Sequence, residues 1–301
     1  MSSENEKFES NADPRGLPTF LVIGAMKCGT TSLHHYLSQH PEIFVSAQKE
    51  LHYFVAERNW KKGITWYRQQ FDPSFQQRGE ISPSYAFFPR YQNVPERIHQ
   101  VLGDVKIIYI VRDPIDRLIS HYVHDIAARQ QTLPFPEALA NVRDNDYVWC
   151  SCYSVQLERY LQYFPIERFL VITQEALLKD RTVTLQNVYR FLGVTETPKG
   201  IKTQSELHRS RDKRRYKMPA QLIEQFISKT RLKKAYPNAA WHLERLLCYP
   251  YAQRVPQPVP DEDLMIRLNQ IFRPDIMKLE ALTGLSFEDW PTMKTGSHKT
   301  F

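Results

Sequence analysis

Residues 20–33 read Phe-Leu-Val-Ile-Gly-Ala-Met-Lys-Cys-Gly-Thr-Thr-Ser-Leu, an order that admits little besides a buried strand, a tight turn and the start of a helix. The apolar run 20–23 suits a strand covered on both faces. Gly24 and Gly29 permit the turn, and Thr30, Thr31 and Ser32 lead into helical spacing. Backbone N–H groups, three hydroxyls and the positive end of a helix dipole then converge on one point, with Lys27 as a mobile charge beside Cys28. A phosphate or a sulfate fits there. The triphosphatase loop G-x-x-x-x-G-K-[ST] has its lysine directly after the second glycine. Lys27 instead comes two residues before Gly29, on the loop itself and next to the outermost group of a ligand.

A second apolar run, 105–111, is rich in β-formers and ends in Arg112-Asp113-Pro114. Asp113 suits an N-cap and Pro114 a first helical position, which leaves Arg112 at the carboxyl end of a central strand, where open α/β sheets bind ligands. A Walker B strand would deliver an aspartate to magnesium at that place, so an arginine argues against a triphosphatase. Ser120 follows eight residues after Arg112. Each has a plainer reading, Arg112 as the ion-pair partner of Asp113 or Asp116 and Ser120 as a hydroxyl satisfied by its own helix.

Further short strands are expected at 79–82 and 169–173, and helices at 114–128, 153–164, 183–192, 220–228 and 261–282, the last stopping at Gly284. Alternation of this kind predicts an α/β three-layer sandwich: a central parallel sheet covered on both faces, with a P-loop-like strand-loop-helix motif. With 301 residues, 42% of them apolar, a single domain over 18–290 is expected between a flexible start, 1–17, and a flexible tail, 291–301. Five prolines between 237 and 260 predict a long surface connection. No apolar stretch reaches the roughly 20 residues that cross a bilayer, and the polar start does not read as a signal peptide, so the expectation is a cytoplasmic protein without stable membrane insertion. Cys28, Cys150, Cys152 and Cys248 lack C-x-x-C spacing and are expected as reduced thiols, with no metal. Cys28, beside Lys27 at a helix start, reads either as a small packing residue or as a thiol of lowered pKa. The net charge of +7 gathers between 199 and 217, a basic loop that could meet nucleic acid, an anionic surface, a polyanionic sugar or a nucleotide phosphate.

The loop 24–32 and the string Val-Arg-Asp-Pro-Ile-Asp-Arg-Leu-Ile-Ser at 111–120 together resemble the phosphate sites of sulfotransferases that use 3′-phosphoadenosine 5′-phosphosulfate (PAPS). The resemblance implies PAPS as sulfuryl donor, adenosine 3′,5′-bisphosphate as product and no required metal. Lys27, Cys28, Gly29, Thr30, Thr31 and Ser32 would hold the phosphosulfate. Arg112 and Ser120 would hold the 3′-phosphate, a task that suits a planar, permanently charged guanidinium. Cys152-Tyr-Ser-Val-Gln-Leu-Glu-Arg-Tyr is similar to the family segment near the adenine and implicates Tyr153. By position in the basic loop, Arg214, Arg215 and Tyr216 would add contacts to the 3′-phosphate, although the Arg-Lys-Gly of cytosolic relatives is absent. Residues 269–284, followed by Trp290, look like the family's closing helix.

Lys49-Glu50-Leu-His52-Tyr53-Phe54 matches the Lys-Glu-x-x-[YF]-Phe of the heparan sulfate and bacterial branch. By that likeness Glu50 is the general base, Lys27 neutralises the leaving phosphate and Lys49 assists, while His52 is the rival base, as in the small-molecule branch. Ser82, Pro83, Ser84 and Tyr85 look like the family's acceptor wall, joined by Tyr53 and Phe54; Ile81 stands where relatives often carry a lysine. Tyr53, Phe54, Tyr85, Phe87 and Phe88 suit a lipid, a polyketide or an aromatic alcohol among small-molecule acceptors, and a saccharide is also open. The oligomeric state is not legible. Two other classes share parts of these features. A P-loop small-molecule kinase would need magnesium and a lysine after the second glycine, and a basic nucleic-acid-binding module would need a recognition motif, which the chain lacks, so no nucleic acid partner is expected.

Overall fold

Strands β1 (Phe20–Gly24), β2 (Ile43–Val45), β3 (Gln77–Ile81), β4 (Lys106–Val111) and β5 (Phe169–Thr173) pair in parallel in the order β2-β3-β1-β4-β5. The computed structural model describes residues 16–198, 214–216, 247 and 252–294. Every residue of β1, and all of β4 but Lys106, is buried. Burial on both sides of a central strand requires cover on both faces, which gives the three-layer α/β sandwich expected. Helices α1 (Thr30–Leu37), α2 (Gly63–Arg68), α3 (Val94–Leu102), α4 (Pro114–Ala128), α5 (Phe135–Ala138), α6 (Asp146–Trp149), α7 (Tyr153–Leu161), α8 (Gln174–Lys179), α9 (Arg181–Leu192) and α10 (Glu262–Thr283) complete the described elements with the short antiparallel pair β6 (Arg214–Tyr216) and β7 (Ala252–Arg254). The helix expected at 220–228 lies outside the described residues.

The chain packs as two compact units, the first from Met1–Leu118, Asn141–Leu207 and Asp261–Phe301, the second from Ile119–Ala140 and His208–Pro260. The sequence offered no composition break that would mark them, because the second unit is assembled from two separated segments. In the first unit, chain order and sheet order part at β1, since the chain runs outward to β2, returns to β3 and then crosses to β4. The carboxyl ends of β1 and β4 therefore flank a topological switch point, where parallel sheets leave a crevice for ligands. β3 fits beside β1 only through Gly79, where an added Cβ would lie 2.0 Å from Phe20 Cζ. Around the end of α7, Asp275 of α10 accepts from Ser154 N at 3.2 Å and from Ser154 Oγ at 2.5 Å. Burial pushes the Asp275 carboxyl up to about 6.

The second unit holds Tyr122 edge-on to Phe135 at 5.0 Å, with the Tyr122 hydroxyl donating to Leu133 O at 2.9 Å. The tail differs from the expectation of a flexible segment from 291 onward. Thr292 is fully buried and its N–H donates to Asp113 Oδ2 at 2.9 Å, while Arg273 Nε donates to its carbonyl at 3.0 Å. A polar, glycine-poor stretch gave no sign that its backbone would hold the side chain that caps a distant helix.

Candidate active site

The loop after β1 is tied to β4 by Ala25 N–H donating to Ile110 O at 2.5 Å. Lys27 has a φ of 74° and Gly29 a φ of 97°, so both take the left-handed region, which costs a lysine more than a glycine. Gly29 is the N-cap of α1, with no side-chain cap and no acidic residue in the first turn. The helix start thus keeps its positive end for an anion. Cys28 points inward: it is fully buried, its Sγ lies 3.6 Å from the Tyr153 hydroxyl, and burial pushes the thiol up to about 11. A packing role follows, and the alternative of a lowered thiol pKa does not hold, because desolvation outweighs the nearby Arg117 and Arg112 charges. Tyr153 is itself fully buried, edge-on to Tyr109 at 6.0 Å and tilted to Trp290 at 6.1 Å.

At the end of β4, Asp113 caps α4 through Oδ1, which accepts from Ile115 N at 3.0 Å and Asp116 N at 3.1 Å. Arg112 then projects beside α4, and one of its terminal nitrogens meets Asp116 Oδ2 at 3.0 Å. Its Nε is buried with no hydrogen-bond partner among the described residues. An unsatisfied buried donor is costly unless something else accepts from it. Ser120 lies farther along α4, buried, in the second unit. β6 carries Arg214, Arg215 and Tyr216, whose side chains lie outside the described residues.

The segment 49–55 lies over the end of β3. Lys49 Nζ meets Glu50 Oε1 at 2.7 Å, and Glu50 Oε2 faces His52 Nε2 at 3.7 Å. His52 Nδ1 is 2.6 Å from Ser84 Oγ. Both Glu50 and His52 sit in the left-handed region, with φ of 64° and 50°. Burial, aided by the Arg58 charge, lowers the His52 imidazole to about 4, so it is neutral near pH 7. A neutral ring is satisfied when Ser84 donates to Nδ1 and Nε2–H faces Glu50. Glu50 keeps 40% of its side chain exposed, so a proton donor from outside can reach it.

The side chains expected to form an acceptor wall are mostly inside. Phe54 is fully buried, Tyr53 is 3% exposed and stacks on Tyr67 at 4.1 Å, and Tyr85 is 2% exposed. They build an aromatic core under the 49–55 segment. Ser82 and Pro83 are buried too, and Ser84 serves His52. Several residues escaped the sequence reading. Glu80, fully buried in β3, accepts from Tyr67, Ser82 and Tyr85, and burial pushes its carboxyl up. An acid inside a short strand was the available signal. Arg117, fully buried, donates to Ser151 Oγ at 2.6 Å and Tyr147 O at 2.8 Å. Glu175 accepts from Asp113 N at 3.1 Å.

A family model described as "Sulfotransferase domain" matches residues 17–237. The chain is 29% identical to human "Heparan sulfate glucosamine 3-O-sulfotransferase 3B1", over 93% of this chain and 67% of that protein. It is 35% identical to human "Heparan sulfate glucosamine 3-O-sulfotransferase 5", over 59% of this chain and 54% of that protein. The chain thus spans about half the length of the latter relative. Among solved structures, a sulfotransferase from Alicyclobacillus acidocaldarius superposes with a TM-score of 0.63 at 26% identity, over 91% of this chain and 98% of that one. With the glycine loop at the end of β1 and the Lys49-Glu50 pair over the end of β3, the match covers most of the first unit's sheet, and the chain belongs to the sulfotransferase family.

Proposed function

We propose that this chain transfers a sulfuryl group from PAPS to a hydroxyl or amine of a saccharide by in-line displacement, with Glu50 as general base. The contact series Lys49–Glu50–His52–Ser84 carries the reading, because it holds a reachable carboxylate next to the strand ends where the sheet order reverses. PAPS supplies an activated sulfuryl group on a phosphate leaving group. The residues fit such a polyanionic nucleotide: α1 starts without an acid, and Arg112 Nε is a buried donor without an acceptor among the described residues. Lys27, Gly29, Thr30, Thr31 and Ser32 would hold its phosphosulfate end, with Arg112 toward the 3′-phosphate. Lys27 offsets charge growing on the leaving oxygen, Glu50 takes the acceptor's proton, and Lys49 orients Glu50. His52, with Nδ1 against Ser84 Oγ and Nε2 toward Glu50, positions the carboxylate rather than competing as base.

A saccharide is favoured over a lipid or polyketide for two reasons. The relatives' names give a sugar acceptor, and Tyr53, Phe54 and Tyr85, three of the aromatics that suggested an apolar pocket, are core residues. A cytoplasmic location belongs to the same proposal, in keeping with the unpaired thiols of Cys28, Cys150 and Cys152. Calorimetric titration with adenosine 3′,5′-bisphosphate, ADP and magnesium ATP tests the donor site, followed by transfer of labelled sulfate from PAPS to a panel of saccharides and lipids. Bisphosphate binding well above ADP, with label on sugars, is the expected result. Tighter magnesium ATP binding would point to a kinase, and label on lipids alone would overturn the acceptor.

A further inference from the structure

We infer that the buried Glu80 is a positioning residue: it sets the protons of two hydroxyls so that they hold the Lys49–Val55 segment and aim Glu50. The inference rests on Glu50 as the base. Both oxygens of Glu80 are occupied by hydroxyl donors. Oε1 accepts from Ser82 Oγ at 2.5 Å and from the Tyr85 hydroxyl at 2.6 Å, while Oε2 accepts from the Tyr67 hydroxyl at 2.5 Å. A hydroxyl has one proton to give, so Ser82 and Tyr85, once committed to Glu80, can offer only lone pairs to their other neighbours. Those neighbours are backbone donors of the segment above. His52 N–H donates to Ser82 Oγ at 3.2 Å and Phe54 N–H to the Tyr85 hydroxyl at 3.3 Å. Glu50 N–H donates to Ile81 O at 3.0 Å, so alternate amides 50, 52 and 54 all rest on the end of β3 and the turn after it.

The anchoring answers a specific need. Left-handed backbone at Glu50 and His52 is strained for residues with a Cβ and persists only where the surroundings over-determine it. Without an acceptor at Glu80 Oε1 the Ser82 and Tyr85 protons would be free to point elsewhere, and their lone pairs would no longer be held toward the amides. The segment would then relax toward ordinary backbone angles, which turns the Glu50 and His52 side chains away from Lys49 and Ser84. Glu80 itself is buried and does not meet an acceptor, so its effect passes through the segment alone.

Hydrogen exchange followed by mass spectrometry, alongside steady-state kinetics, tests this on the full chain with Ser82→Ala, Glu80→Gln and Tyr67→Phe. Ser82→Ala should speed exchange across 49–55 by about tenfold or more while protection of β4 stays, and should lower kcat by a similar factor with the KM for PAPS unchanged. Glu80→Gln keeps Oε1 as acceptor for Ser82 and Tyr85, so it should rescue most of both. Tyr67→Phe removes only the Oε2 donor and should leave exchange in 49–55 close to wild type. Equal exchange in wild type and Ser82→Ala overturns the inference, as does loss of protection spread evenly over β4. If the exchange result holds but wild-type protein transfers no sulfate, the anchoring stands and the reading of Glu50 as base falls.

Discussion

The donor loop and the segment that carries Glu50 sit at the ends of neighbouring strands, yet they are built in different ways. The loop 24–32 is made by backbone: a glycine N-cap, a helix start and a short link to Ile110 O. The segment 49–55 is held by side chains from elsewhere, with Ser82 and Tyr85 accepting from its amides and Glu80 accepting from those two hydroxyls. The loop draws its turn and helix start from local sequence and needs β4 only for the link to Ile110 O, whereas the 49–55 segment is held only once β3 and the turn after it are in place. Under the proposed function, affinity for the donor falls to the first region and turnover to the second.

The largest expected effect separates these roles. Glu50→Gln keeps size and hydrogen bonding but removes the base, and should cut kcat by about 10²–10⁴-fold while adenosine 3′,5′-bisphosphate binds as to wild type. A matching loss of bisphosphate affinity in calorimetry would merge the two regions and break the contrast. Next in size, Arg112→Ala should weaken bisphosphate binding by about 10–100-fold, the worth of one or two charge-assisted hydrogen bonds, with much less change in kcat at saturating donor. Unchanged affinity would return Arg112 to a plain ion-pair role with Asp116.

The smallest effect is a pH dependence confined to the side-chain-built region. The His52 imidazole is lowered to about 4 from the 6.5 of an ordinary histidine. Between those values the unfolded chain binds the proton more readily, so this residue makes stability fall as pH drops from about 6.5 toward about 4. At pH 5 the loss comes to about 2 kcal/mol. His52→Gln removes the dependence, so the melting temperatures of wild type and variant should converge, or cross, by a few degrees on going from neutral pH to about pH 5. A constant difference would show that His52 is not held neutral. Asp275, raised to about 6 from 3.8, acts in the opposite sense, making stability rise as pH falls through that range, and it is common to both proteins.

Much of the sheet was legible. β1, β4 and β5 were read from continuous apolar runs, α4 from its Asp-Pro start, and α10 to within a residue at each end because Asp261 caps its start and Gly284 takes the left-handed region at its close. Short elements were not: β2 has three residues, and α2, α5, α6 and α8 have six or fewer, too few for a period to show. α7 ended at Leu161 rather than 164, ahead of Pro165. The tail beyond 290 looked free, although Thr292 closes onto Asp113.

By itself the sequence determined the strand-loop-helix turn at the end of β1, the arginine at the second strand end and the parallel α/β class, because each depends on local backbone preference and on the burial of short apolar runs. The tertiary structure alone decided that Tyr53, Phe54 and Tyr85 form core rather than an acceptor wall, that Cys28 faces inward, and that Glu80 lies beneath Glu50 with three hydroxyls on it. Which face of a strand end is covered, and which amide meets which hydroxyl, are set by contacts between residues about 30 positions apart. Such distant pairings leave no periodic trace in the chain.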